Sequence, residues 1–186
     1  MKTITNPNAY VAFLRGINVG GNHQIRMEEL RQCFKELGFD DIRTISVAGN
    51  VLFQGPTIDD LDELATSIER ILKKAFKFDI SVSVRTIASL QKLANAEPFK
   101  GIPVTDATRL YVTFFSGYID KKFKVPFSPD KSDFTILKVA ETEMCSVLTI
   151  SDSTSSPDLM VFVDKQFGKR STTRNWNTIK KVLALE

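Results

Sequence analysis

The order of apolar patterns in residues 1–86 constrains the fold more than any other feature of the sequence. Apolar and β-branched runs predict strands at 9–15, 41–47, 51–53 and 79–85, and helical periodicity predicts helices at 27–37 and 58–76. The resulting order of strand, helix, strand, strand, helix, strand is that of a split βαβ unit, in which two helices cover one face of an antiparallel sheet. Residues 1–86 are therefore predicted to form one ferredoxin-like half, also called an alpha-beta plait.

The remaining residues predict a second, less regular half. A helix and linker occupy 87–107, and the second half, residues 108–186, ends in a C-terminal helix. Its clearest strand is 109–115, and 134–139 with 144–150 make a hairpin. The sequence thus predicts an α+β protein made of two ferredoxin-like halves with antiparallel sheets.

Two segments of the second half are harder to interpret from local pattern. Residues 159–167 include the strand-like run Met-Val-Phe-Val, but their apolar spacing also fits a helix face, and we favour the helix. The last helix carries Trp176 on its apolar face, and Ser171, Thr172 and Thr173 are its candidate N-terminal caps.

Composition excludes several classes of protein. A net charge of +3 gives no overall field of the kind that duplex-DNA binders have, and no apolar stretch approaches the ~20 residues needed to cross a bilayer. The two cysteines, Cys33 and Cys145, lie far apart without a CxxC spacing, which argues against a disulfide framework or a zinc site. We therefore expect a cytoplasmic protein without membrane association, metal or cofactor.

The first segment that could carry chemistry is the loop Arg15-Gly16-Ile17-Asn18-Val19-Gly20-Gly21-Asn22-His23. Its glycines could let main-chain N–H groups converge on an anion at the following helix. Alternatively, the glycines and asparagines only supply turn conformations. The run has neither the Gly-Lys-Ser/Thr ending of a P-loop nor the dinucleotide-binding fingerprint.

The second segment is 168–177, which holds three cations and several hydrogen-bonding side chains before the last helix. Arg174 would oppose the helix dipole there and so needs a partner. That partner is either a carboxylate of the protein or a bound anion, since a guanidinium group fits both.

His23 is the only histidine, which excludes a multi-histidine metal centre. An enzyme that uses His23 or a loop carboxylate as acid or base is one alternative for the function.

These segments resemble a bacterial family catalogued as domain of unknown function 1697. The resemblance rests on Tyr10 to Asn22 and Thr172 to Thr178, with support from Ala48 to Val51 and Arg85-Thr86. The family usually has Ser-Gly-Asn where this chain has Ala48-Gly49-Asn50, so the serine hydroxyl of that motif is missing at position 48. The resemblance implies two α/β plaits and no particular activity.

No reaction can be assigned from the sequence. The function it favours is binding of a small anionic or nucleotide-like ligand, in one pocket that is lined by Arg15, Asn18, Asn22, Asn50, Arg174 and Asn175. Nucleic acid is a less favoured partner: an open sheet face could bind single strands, although the first strand lacks a basic-aromatic RNP signature.

Overall fold

The computed structural model describes residues 8–21, 23–119, 124–130, 132–150 and 157–185. The first half is a four-stranded antiparallel sheet with the strand order β2-β3-β1-β4. Its elements along the chain are β1 (Ala9–Leu14), α1 (Met27–Glu36), β2 (Asp40–Thr44), β3 (Asn50–Gln54), α2 (Leu61–Phe76) and β4 (Val82–Thr86).

The second half repeats this strand order as β6-β7-β5-β8. Its elements are β5 (Thr108–Phe115), β6 (Phe134–Val139), β7 (Glu143–Thr149), α4 (Pro157–Phe167) and β8 (Ser171–Asn175). The predicted hairpin and the helix over 159–167 are both confirmed. No helix is found between β5 and β6 in the described part of 116–133, which makes this half the less regular one.

Each half is followed by one more helix, α3 (Ile87–Asn95) after β4 and α5 (Trp176–Ala184) after β8. The two helices share a central core with the facing sheets, and its members from both halves include Val11, Phe13, Ile87, Val112, Phe114 and Ile179. Phe13 and Phe114 stack at its middle, with ring centroids 4.8 Å apart and planes 2° from parallel. The halves are therefore joined by a continuous apolar interior.

Strand β1 shows why this packing follows from the sequence. It is buried along its whole length. Because neighbouring side chains of a strand point to opposite faces, Tyr10, Ala12 and Leu14 pack under α1 and α2, while Ala9, Val11 and Phe13 enter the central core. A strand buried on both faces favours a continuous apolar run, which Ala-Tyr-Val-Ala-Phe-Leu is.

The structure corrects the prediction for residues 171–175. Ser171, Thr172 and Thr173 do not cap a helix but lie in β8, which pairs with β5 from Phe115↔Ser171 to Tyr111↔Asn175. The last helix begins at Trp176, and the side chain of Asn175 caps it by accepting a hydrogen bond from the Asn177 N–H. The prediction failed because ladder pairing with β5 outweighs the local capping preference of serine and threonine.

Candidate functional site

Arg174 lies on β8, so its guanidinium is not at a helix N-terminus as the sequence suggested. It donates hydrogen bonds to five acceptors, all uncharged: the Asn50 side chain and the carbonyl oxygens of Leu14, Ala48, Gly49 and Thr173. Its Cζ also lies 5.6 Å from the centroid of the Phe13 ring. Of the two partners anticipated from the sequence, the protein carboxylate is therefore not found among the described residues.

Burial lowers the pKa of Arg174 to about 10, because a desolvated charge is less stable than a solvated one. The five acceptors replace much of the lost hydration but carry no net charge. A positive charge thus lies unneutralised beneath the turn formed by residues 46–49.

Asn50 connects this turn to Arg174. Its Oδ1 accepts from Arg174 Nε at 2.6 Å, and its Nδ2 donates to the Ile45 carbonyl at 2.9 Å. The side chain is buried and both ends are used, so Asn50 positions Arg174 and is not itself exposed to a ligand.

Arg15 and Arg174 lie at the same end of the molecule, because Arg174 bonds the carbonyl of Leu14, the residue before Arg15. The Arg15 side chain, however, turns to the other half. Its Nη2 lies 2.7 Å from Asp164 Oδ2, and its Nη1 donates to the carbonyls of Lys169 and Ser171. The two arginines are therefore neighbours that contact different partners.

Asn18 closes the glycine-rich loop on itself. It adopts a left-handed φ of 55°, and its amide bonds both main-chain groups of Ile25 and the carbonyl of Val47. The loop and the turn at 46–49 border an open cavity of about 470 Å³, here called the loop cleft. The cleft is lined by Asn18, Gly21, Gln24, Ile25, Arg26, Glu29 and Val47.

Two further residues were predicted to line the site. Asn175 caps α5, and Asn22 lies outside the described residues. Asn18 thus lines the loop cleft, Asn50 and Arg174 support the turn at its edge, and Arg15 holds α4.

Sequence reasoning gave no functional role to Arg85, which is the counterpart of Arg174 in the first half. It is 7% exposed, and its Nη2 donates to the carbonyls of Phe115 and Thr142 in the second half. Burial lowers its pKa. The sequence did contain a signal for Arg85. An arginine followed by a helix-capping residue occurs before an amphipathic helix in both halves, as Arg85-Thr86 and as Arg174-Asn175.

No acid–base or metal centre is evident in the part of the chain that the structure describes. The His23 ring stacks on Phe78 with centroids 4.2 Å apart, and its Nδ1 lies 3.4 Å from the Gly16 carbonyl. Cys33 and Cys145 are buried free thiols whose pKa values are raised by burial. Among the described residues, no group of three or more His, Cys, Asp and Glu side chains could hold a metal ion.

The open sheet face that single-strand binding would use is not found in the first half. Strands β1, β3 and β4 are almost wholly buried, because α1 and α2 cover one face of the sheet and the second half covers the other. Within the described ranges, no helix is long and apolar enough to cross a membrane.

Comparison with known proteins agrees with this architecture. The fold is similar to that of the conserved bacterial protein SP0830 from Streptococcus pneumoniae, with a TM-score of 0.67, 22% identity, and coverage of 95% of this chain and 97% of that one. None of the curated proteins with which the sequence was compared matches it. Residues 8–144 match the family described as Protein of unknown function (DUF1697). The chain therefore belongs to the DUF1697 family.

Proposed function

We propose that this protein binds a small anionic ligand in the loop cleft. The observation that carries the proposal is the charge of Arg174, which lies beneath the turn at residues 46–49 and is bonded only to neutral acceptors. An anion held on the outer side of that turn would interact favourably with a cation that has no other counter-charge nearby.

The turn links the buried charge to the cleft. Arg174 bonds the carbonyl of Ala48, and Asn18, which lines the cleft, bonds the carbonyl of the preceding residue, Val47. A ligand in the cleft would therefore be separated from the guanidinium by one layer of main chain. Across such a layer the effective dielectric is lower than in bulk water, which strengthens the attraction.

The lining of the cleft suits an anion that also has an apolar part. Arg26 is a solvent-exposed cation at the start of α1, where no side chain caps the first main-chain N–H groups. Val47 lines the cleft and Val19 lies in the adjoining loop, and these side chains are 62% and 65% exposed. N–H groups without a side-chain cap, a cation and exposed apolar surface together favour a nucleotide-like ligand. Glu29, 4.0 Å from Arg26, would have to release this arginine when an anion binds.

Nuclear magnetic resonance titration of the ¹⁵N-labelled protein with inorganic phosphate, pyrophosphate and adenosine monophosphate tests the proposal. We expect saturable shifts at residues 16–26 and 46–49, with adenosine monophosphate binding more tightly than phosphate because it also covers the valines. Arg26→Ala should weaken binding about tenfold, the value of one charge-assisted hydrogen bond.

Lys100→Ala is the matched control, because Lys100 is also an exposed cation in an i,i+3 ion pair, with Glu97. It should leave the affinity unchanged. Absence of shifts in the loop cleft with all three anions at millimolar concentration, or equal weakening by both variants, would reject the proposal.

A further inference from the structure

We propose a second ligand site, independent of the loop cleft, in the cavity between α3 and the β6–β7 hairpin, and we infer that it takes a small oxyanion carried on a short apolar body. The cavity, here called the Arg85 cavity, has a volume of about 260 Å³. The residues that decide its chemistry are Arg85, Lys92, Lys138, Glu143, Leu90 and Leu93.

Arg85 presents an unsatisfied hydrogen-bond donor. Among the described residues, the buried Nε–H of Arg85 has no hydrogen-bond acceptor, although Nη1 and Nη2 are both bonded. A buried charged group that lacks one acceptor is costly, because it has given up water without replacement. A ligand in the adjoining cavity would supply the hydrogen-bond acceptor that Arg85 Nε–H lacks.

In Arg174, the counterpart of Arg85, the Nε–H donor is satisfied. Asn50 pairs with Phe13 across the first sheet and accepts from Arg174 Nε, and Glu143 has the same register position in the second sheet, opposite Phe114. Glu143 makes no hydrogen bond to Arg85 in the described structure: its Oε2 accepts from Thr142 Oγ1 at 2.6 Å, and its negative charge favours the charged form of Arg85. The Nε–H donor thus has an acceptor at this register position in one half and none in the other.

The lining of the Arg85 cavity carries a net positive charge. Arg85, Lys92 and Lys138 line the cavity with Glu143, so three positive charges minus one negative charge leave an excess of two. Both lysines are exposed, and no ion pair is found for either among the described residues. An anion would therefore be attracted to the mouth of the cavity.

The comparison of the halves extends to Lys138. Its register counterpart is Arg43, since Arg43 lies opposite Leu52 and Lys138 opposite Cys145. Arg43 donates to the carbonyl of Leu185 just after α5 and so ties β2 to that helix. Lys138 has no such contact with α3, which leaves the mouth of the Arg85 cavity open.

The wall of the cavity sets the remaining chemistry of the ligand. Leu90 and Leu93 from α3 and Phe114 from β5 contribute apolar groups to the lining, beside Lys92 on the same helix and under the Arg85 guanidinium. A volume of about 260 Å³ is slightly below the usual ~300 Å³ lower bound for ligand pockets. An aryl or short alkyl group with one phosphate or carboxylate fits this size and this division of polar and apolar surface.

The test uses phenyl phosphate as the probe and the full-length ¹⁵N-labelled protein. We expect saturable shifts of the Ser89 and Thr142 amides and of the Arg85 Nε–H signal, while the Arg174 Nε–H signal stays in place because Asn50 already satisfies it. Benzoate should shift the same signals if a carboxylate suffices, and phenol, which has no charge at neutral pH, should shift them much less.

The Lys92→Ala/Lys138→Ala double variant should weaken phenyl phosphate binding at least about tenfold, since it removes both cations at the mouth. Lys180→Ala/Lys181→Ala, on the exposed side of α5, removes the same charge elsewhere and should have little effect. The proposal is overturned if the Arg85 Nε–H signal does not move, if both double variants weaken binding equally, or if all shifts fall in the loop cleft. The last result would leave the proposed function intact and reject only this second site.

Discussion

Arg85 and Arg174 occupy equivalent positions in the two halves, and each bonds main-chain carbonyls of the half to which it does not belong. Arg85 bonds those of Phe115 and Thr142, and Arg174 bonds those of Leu14 and Ala48. Each guanidinium also lies over a phenylalanine of the stacked pair, Arg85 over Phe114 and Arg174 over Phe13. Each arginine thus ties its own half to the other. The two arrangements differ at Nε: among the described residues, Arg174 Nε has Asn50 as its acceptor and Arg85 Nε has none.

Asn50→Ala should destabilise the protein by about 2–3 kcal/mol, because it leaves the buried Arg174 Nε–H without an acceptor. Chemical denaturation of Asn50→Ala, Arg174→Ala and the double variant measures the coupling, which we expect to be about 1.5–3 kcal/mol, as for other hydrogen bonds to a charged group. Asn177→Ala, at an exposed position on α5, is the control and should change stability by less than about 0.5 kcal/mol. Strictly additive effects of the two substitutions would contradict this role of Asn50.

Glu143→Asn should stabilise the ligand-free protein by about 0.5–1.5 kcal/mol, since an asparagine at this register position can accept from Arg85 Nε as Asn50 does from Arg174. The gain is smaller than that of a full hydrogen bond to a charged group, because the substitution also removes the negative charge of Glu143 beside Arg85. Thermal and denaturant unfolding measure the change. Glu141→Asn, at an exposed position of the same turn, should be neutral. Equal or lower stability of Glu143→Asn would show that the unsatisfied Nε–H is not a defect that this position can repair.

The ion pair of Arg15 and Asp164 should couple more strongly than a surface pair. The side chains are 31% and 28% exposed and 2.7 Å apart, and Arg15 also bonds two main-chain carbonyls. We expect a coupling energy of about 1 kcal/mol from a double-mutant cycle.

Lys73 and Asp79 are the matched surface pair, with 62% and 83% exposure at 2.8 Å, and their coupling should stay below about 0.5 kcal/mol. If Arg15→Ala left stability unchanged but abolished anion binding, Arg15 would be a ligand residue and not a structural one.

Gly49→Ala should be strongly destabilising, by more than about 2 kcal/mol, for two reasons. The alanine would have to keep a strained φ of +73°, and its Cβ would lie 2.9 Å from side-chain atoms of Ile17 and Leu14. Gly101→Ala separates the two causes, since Gly101 has a φ of +80° and open space around its Cα. It should cost only about 1 kcal/mol, the strain of a left-handed residue. Equal unfolding midpoints for the two variants would mean that the packing around Gly49 relaxes freely.

Cys145 should contribute stability that is lost at alkaline pH. Burial raises the pKa of its thiol to about 12 from 9.0. Above pH 9.0 the unfolded chain therefore releases a proton that the folded chain still holds, so unfolding becomes easier as the pH rises from 9 toward 12. The free energy of unfolding should fall less steeply between about pH 9 and pH 11 in Cys145→Ala than in the parent protein. Identical slopes would show that the folded thiol ionises normally.

The local elements were predictable from the sequence because their causes are local. The apolar spacing and the terminal charges of α2 lie within the helix, and the apolar run of β1 spans six consecutive residues. The same holds for α4, where apolar spacing over 159–167 outweighed the strand-like run. Asn18 and Arg174 were singled out from their motifs, although not the contacts that they make.

What the sequence by itself determined was the order of strands and helices, the apolar faces that pair the two halves, and the polar segments around residues 15–23 and 168–177. Only the tertiary structure decided that 171–175 is a strand, because its ladder partner is some 60 residues away, as the Thr113–Thr173 contact shows. It also decided the roles of Arg85 and Arg174, whose acceptors in the other half lie 30 to 160 positions distant. The hydrogen-bond acceptors of a guanidinium are set by tertiary contacts, so the local sequence does not predict which oxygens they are.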